Sequence, residues 1–162
     1  MSIPKPYEVN YQDKSYKFTT DNGIFYNISF SDGSFYFTNI EPHIPIYELA
    51  IKFISLGDYL TPPQDRRAEI TIIDIILTFL SDHTNSIIYT CDNIDDRHHA
   101  RNRKFNIWFN KHQSTDLEKY DSSFVVEGTE ILASLIVHAQ NPFKEALIKV
   151  FVEQVNEYRK DE

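Results

Sequence analysis

The chain reads as an α+β protein: an N-terminal antiparallel β-meander followed by alternating helices and strands, closed by a C-terminal helix. Three observations carry that expectation. Aromatic and branched residues alternate with polar ones around two Gly-containing turns in the first forty residues. Apolar residues recur at helical spacing after Pro62-Pro63 and again after Asn141-Pro142. Short apolar runs of strand character lie between those segments. At 162 residues the chain has the length of one ordinary domain, so residues 1–162 are expected to share one core.

Each element has its own signal. In "YKFTTDNGIFYNISFSDGSFYFTNI" the turns fall at Asp21-Asn22-Gly23 and Ser31-Asp32-Gly33-Ser34. Around them, strands are expected near Tyr16–Phe18, Phe25–Phe30 and Phe35–Phe37. Residues 44–60 fit either a helix, through Ile46, Leu49, Ala50 and Phe53, or a strand, because "IYELAIKFISL" also alternates. Pro62-Pro63 ends that element, since proline lacks an amide hydrogen and restricts its predecessor. "AEITIIDIILTFLSDH" then predicts a buried helix, with Glu69, Asp74 and Thr78 on its polar side. "NSIIYTCD" predicts a buried strand, residues 94–112 a helix, and "SSFVVEGTEILASLIVHAQ" one or two strands broken near Gly128. The last helix carries an apolar stripe of Phe143, Ala146, Leu147, Val150, Phe151 and Val155.

Composition narrows the function classes. A net charge of −8 disfavours general nucleic-acid binding, which depends on neutralising phosphates with Lys and Arg. Only four glycines are present, few for a phosphate-cradling loop. One cysteine, Cys91, excludes an intramolecular disulfide and any multi-cysteine metal cluster. "MSIPKPYEVNYQDK" has no signal-peptide pattern, and no run approaches the ~20 apolar residues of a membrane helix. A cytoplasmic location is the expectation.

The stretch "IIYTCDNIDDRHHARNRKFNIWF" concentrates the chemistry-capable side chains. It reads first as a strand-to-helix junction. Asp92 or Asn93 would cap the helix, Asp95 and Asp96 would sit at its positive end, and Phe105, Trp108, Phe109 and His112 would share its buried face. Adjacent His98 and His99 diverge by about 100° on a helix, so no metal site is expected. Arg97, Arg101 and Arg103 form a candidate contact for an anion or an acidic partner. With Lys104 they would also be the contact surface in a nucleic-acid reading. Arg66 and Arg67, just before a helix start, are a second candidate anion site.

Two resemblances follow. "YKFTTDNGIFYNISF", "IIYTCDNIDDRHHARNRKFNIWF" and "NPFKEALIKVF" together resemble a family of small uncharacterised bacterial proteins, a domain of unknown function, which implies no site residues. At the level of fold, the order of elements is similar to the acetyl-coenzyme A-dependent N-acetyltransferase (GNAT) superfamily. There a Gln/Arg-x-x-Gly-x-Gly/Ala loop before the central helix holds the coenzyme pyrophosphate on backbone amides. The matching stretch here is "QDRRAEITIIDIILTFL". The resemblance implies Gln64, Arg66 and Arg67 at the cofactor. Both glycines are missing, and Ala68, Glu69 and Ile70 stand in that region. Asn102, Phe105 and Phe109 loosely match the family's Asn-x-x-Ala-x-x-x-Tyr helix, and the helix after residue 141 is additional to the minimal fold.

The leading expectation is a non-catalytic module on an acetyltransferase-like scaffold, without a cofactor, acting through another protein or self-association. The aromatic content of 14% supports it, because Tyr, Phe and Trp are favoured at interfaces. The alternative is an acyl-coenzyme A-dependent N-acetyltransferase using acetyl-coenzyme A, with Tyr89 or Tyr120 near the acceptor.

Overall fold

The computed structural model describes residues 4–37, 40–55, 63–92, 98–112 and 116–160. Strands β1 (Asn10–Gln12), β2 (Ser15–Thr19) and β3 (Ile24–Asp32) form the meander. Strand β4 (Tyr47–Ser55) leads to helix α1 (Arg66–Phe79), β5 (Ser86–Asp92) and α2 (His98–Lys111). The hairpin β6 (Leu117–Val126) and β7 (Thr129–His138) precedes α3 (Lys144–Lys160). The described strands form one sheet in the order β1-β2-β3-β4-β5-β7-β6, antiparallel everywhere except between β4 and β5. The protein is therefore α+β, with its strands concentrated at the N-terminal end and a helix at the C-terminal end.

Turn chemistry sets the hairpins. Asp13 and Lys14 both adopt positive φ (54° and 62°), as do Glu127 and Gly128 (51° and 79°). Two consecutive left-handed residues make the tight turn whose twist matches antiparallel strands. Gly23, at φ 76°, closes the β2–β3 turn. The third expected strand of the meander, near Phe35–Phe37, is instead a 3-10 turn over Ser34–Tyr36. Asp32 causes it: its carboxylate accepts from the Ser34 amide and hydroxyl, both at 3.0 Å, and bends the chain out of the sheet.

Residues 47–55 are a strand, which settles the open helix-or-strand reading. All nine pair with β3, from Tyr47↔Asp32 to Ser55↔Ile24. Pairing along the whole length outweighs a helical propensity worth tenths of a kcal/mol per residue.

Helices cover both faces of the sheet. On one, Ile72 and Ile76 of α1 and Phe105 and Phe109 of α2 pack with Phe18, Ile28, Leu49 and Ile87. On the other, Leu147 and Phe151 of α3 pack with Ile88, Leu135 and Val137. Alternation along each strand supplies both faces, so neighbours such as Ile87 and Ile88 enter different cores. None of the described helices is long and apolar enough to cross a membrane.

The parallel pair is the exception in the sheet. β4 and β5 meet only at Tyr47↔Ile87 and Glu48↔Ile88, and then diverge into a fork. Its closed end is packed by the 3-10 turn. The Gly33 amide donates to Ile46 O at 2.9 Å. The Tyr36 hydroxyl donates to Glu48 Oε1 at 2.9 Å and lies 3.2 Å from Thr90 Oγ1, tying β4 to β5 across the split. A Cβ on Gly33 would lie 2.9 Å from the Glu48 amide nitrogen and 3.1 Å from an Ile88 methyl. Backbone cannot move aside as a flexible side chain would. Gly33→Ala is therefore expected to lower stability by ~1–3 kcal/mol, read as an earlier denaturant midpoint. An unchanged midpoint would mean that the turn does not press on the fork.

Candidate functional site

The fork opens toward the carboxyl ends of β4 and β5, where crevices beside parallel strands commonly receive ligands. Leu49, Ile51 and Phe53 alternate along the β4 side, and Ile87, Tyr89 and Cys91 along the β5 side. Helix α2 roofs the opening with Arg101, Lys104, Phe105 and Trp108. The Tyr89 and Phe105 rings stack with centroids 4.3 Å apart.

Three adjoining cavities make one groove. The innermost, about 80 Å³, sits in the fork among Tyr26, Ile51, Phe53, Tyr89 and Trp108. Through Tyr26, Lys104 and Trp108 it adjoins a cavity of about 390 Å³ between the start of α1 and the length of α2. Through Ile51, Phe53 and Arg101 it adjoins one of about 560 Å³ over the open end of β3 and β4. Phe53 and Ile54 remain 40% and 63% exposed there, large apolar surface left uncovered beside a groove.

The start of α1 is capped by its own carboxylate. Asp65 is its N-cap, and Oδ1 accepts from the Arg67 and Ala68 amides at 2.9 and 3.2 Å. The Glu69 amide bonds back to Asp65 O at 3.1 Å. Two of the four amides that a helix start leaves without intrahelical partners are therefore already used, and the Glu69 amide makes the first intrahelical bond. Asp65 Oδ2 accepts from the Tyr7 hydroxyl at 2.7 Å, which holds the N-terminal arm against the helix.

Glu69, expected on the polar side of α1, is instead buried at 3% exposure in the groove wall. The end of α2 brings Lys111 Nζ and His112 Nε2 to 3.6 and 3.7 Å from its Oε1. The Lys111 ammonium makes the burial tolerable; an isolated buried carboxylate would cost several kcal/mol.

Burial shifts three titratable groups of the groove. Burial, assisted by the Asp65 charge, pushes the Tyr26 phenol up to about 12. Burial also pushes Tyr89 up, and its hydrogen-bond and charge interactions with Cys91 act the same way. Burial draws the Lys104 ammonium below the ordinary lysine range, against the opposing pull of Glu69. Lys104 also lies 5.1 Å from the centroid of the Trp108 ring.

The residues singled out from sequence divide. Gln64 and Arg103 line the 390 Å³ cavity, and Arg101 lines the fork. Arg66 is exposed at the helix start. Arg67 turns the other way: Nε donates to Lys5 O at 2.9 Å, Nη1 to Asp21 at 3.1 Å, and the guanidinium stacks 4.0 Å over the Tyr7 ring. Arg97, Asn93, Asp95 and Asp96 lie outside the described residues. Tyr89 is in the fork, whereas Tyr120 packs on the α3 side and donates to Glu118 at 2.7 Å. His99 pairs with Glu130 at 2.9 Å and ties the start of α2 to β7.

Asp65, Glu69, Trp108, Ile51 and Phe53 were not anticipated as site residues. Asp65, directly before a helical pattern, carried a readable cap signal. The others carried none, because their convergence depends on strand order.

Fold and site together define an α+β protein with a forked mixed sheet and an aromatic groove under a basic helix. Residues 64–153, more than half of the chain, match the family described as "Family of unknown function (DUF6169)", and the chain belongs to that family. The match begins beside the N-cap of α1 and leaves the meander and β4 outside it. No curated protein and no solved structure matches the chain.

Two outcomes are expected. Asp65→Ala removes the cap and strands the Tyr7 hydroxyl, costing ~1–2 kcal/mol in denaturant unfolding; an unchanged midpoint would contradict the cap. Because Lys104 titrates lower when folded, the unfolded chain binds more protons between the folded and unfolded values, so stability rises with pH through that window. Relative to Lys104→Met, the wild type should therefore gain stability in the alkaline range just below the ordinary lysine value. A pH-independent difference between the two would refute the shift.

Proposed function

We propose that the chain is a non-catalytic protein-interaction module on an acetyltransferase-like scaffold, and that its fork receives an extended segment of another protein. The observation that carries this reading is the inner edge of β4 from Leu49 to Ile54, which no described strand pairs. Beyond Glu48 the strand has β3 on one side and no described strand on the other. Backbone donors and acceptors on an open edge, beside pockets for alternate side chains, are what strand addition uses. Ile51, Phe53 and Trp108 supply the apolar floor for those side chains.

A second reading, an acyl-coenzyme A-dependent N-acetyltransferase, draws support from the order of elements, a meander and then helix, strand, helix and a closing strand pair. Against it stand the cap of Asp65 on the first-turn amides and the Glu69 carboxylate in the wall. A coenzyme pyrophosphate bound there in the superfamily's manner would meet negative charge where it needs donors. The tyrosines, pushed up in pKa, make weaker proton donors at neutral pH.

Thermal melting against coenzyme A and acetyl-coenzyme A separates the two. A ligand at 100 times its dissociation constant adds about 2.7 kcal/mol, or several degrees for a domain of this size. No shift is expected, and a shift of that order would favour the enzyme. For the interaction reading, a photo-crosslinking benzoylphenylalanine in place of Phe53 should form an adduct with one other protein in the producing cell. The same substitution at the exposed Phe35, outside the groove, should not. Equal adducts at both positions would remove the fork from the interface.

A further inference from the structure

Helix α2 stands apart electrostatically from the rest of the chain. Against a net charge of −8, its fourteen residues carry Arg101, Arg103, Lys104 and Lys111 and no carboxylate. Three of these cations line the 390 Å³ cavity and two line the fork, so the charge faces the groove. Lys111 is drawn to Glu69. Among the described residues, no carboxylate pairs with Arg103 or Lys104 within ion-pair distance. Keeping a lysine head group beside Trp108, partly out of water and with only the more distant pull of Glu69 as counter-charge, is costly. A carboxylate arriving in the groove would relieve that cost.

Resting on the strand-addition reading, we propose that the segment received by the fork is acidic, with Asp or Glu side chains meeting Lys104 and Arg103 under α2 while alternate apolar side chains cover the exposed Ile54 on the opposite face of β4. The period of two along a strand allows both contacts at once: residues i and i+2 point to one side, and i+1 and i+3 to the other. The negative remainder of the protein would repel such a segment elsewhere, so α2 confines it to the groove. Lys104 has a further consequence. Its ammonium is held below the ordinary lysine range, and a bound carboxylate would draw it back up, so binding would take up protons in the alkaline range.

The chain supplies its own reporter, since Trp108 is its one tryptophan and borders two of the three cavities. The test selects from a display library of random ten-residue segments against the immobilised full chain. The winning peptides are then titrated by Trp108 fluorescence into the wild type and the Arg103→Gln/Lys104→Gln double variant. Enrichment of alternating Asp or Glu, with binding on the order of tenfold weaker to the double variant, is the expected result. Enrichment of neutral apolar segments that bind both proteins equally would overturn the charge inference and leave strand addition standing. A library that yields no binder would overturn both. A single-stranded twelve-nucleotide DNA that outcompetes the peptides, with a steep salt dependence, would reassign α2 to nucleic acid and overturn the proposal.

Discussion

Everything at the site depends on a sheet that stops pairing. β4 and β5 share two residue pairs and then separate, although each is fully paired on its other side. The split is held at its apex. Gly33 lets the 3-10 turn lie directly on the β4 backbone, and the Tyr36 hydroxyl spans from Glu48 to Thr90. With the apex held, the open ends become a groove of defined shape, and α2 roofs it through Phe105 and Trp108. A fully paired β4–β5 would bury the backbone edge that the proposed partner uses.

The second constraint is electrostatic. α1 begins with carboxylates at its positive end, a stable arrangement in which Asp65 takes two of the amide donors an anionic ligand would need. α2 lies across it with cations only. The groove therefore has an acidic end at Asp65 and Glu69 and a basic roof, joined at the Glu69–Lys111 contact. A helix start free of acid would suit a pyrophosphate. The start found here carries two carboxylates, and the positive charge of the groove lies on the neighbouring helix.

The N-terminal arm serves the same region. Tyr7 donates its hydroxyl to Asp65, accepts from the Asp21 amide, and lies under the Arg67 guanidinium. That network explains why Arg67 does not face the groove. Its partners Asp21 and Lys5 are distant in sequence and adjacent only once the meander has docked on α1.

Local chemistry was legible in the chain itself. The hairpin turns at Gly23 and Gly128, the helices at 66–79 and 144–160, the strand ending at Asp92 and the α+β class all follow from periodicity and turn residues. Those signals act over a few bonds, and neighbours in sequence carry them. Residues 47–55 were ambiguous because their pattern suits both periods, and only nine pairs with β3 make them a strand. The strand expected at Phe35–Phe37 was lost to the Asp32 turn, a side-chain contact that alternation does not register. The fork, the burial of Glu69 and the diversion of Arg67 belong to the tertiary structure alone. Each needs segments 40 to 62 residues apart to meet, and the free energy of that meeting lies in packing and charge pairing between elements, not within any one of them.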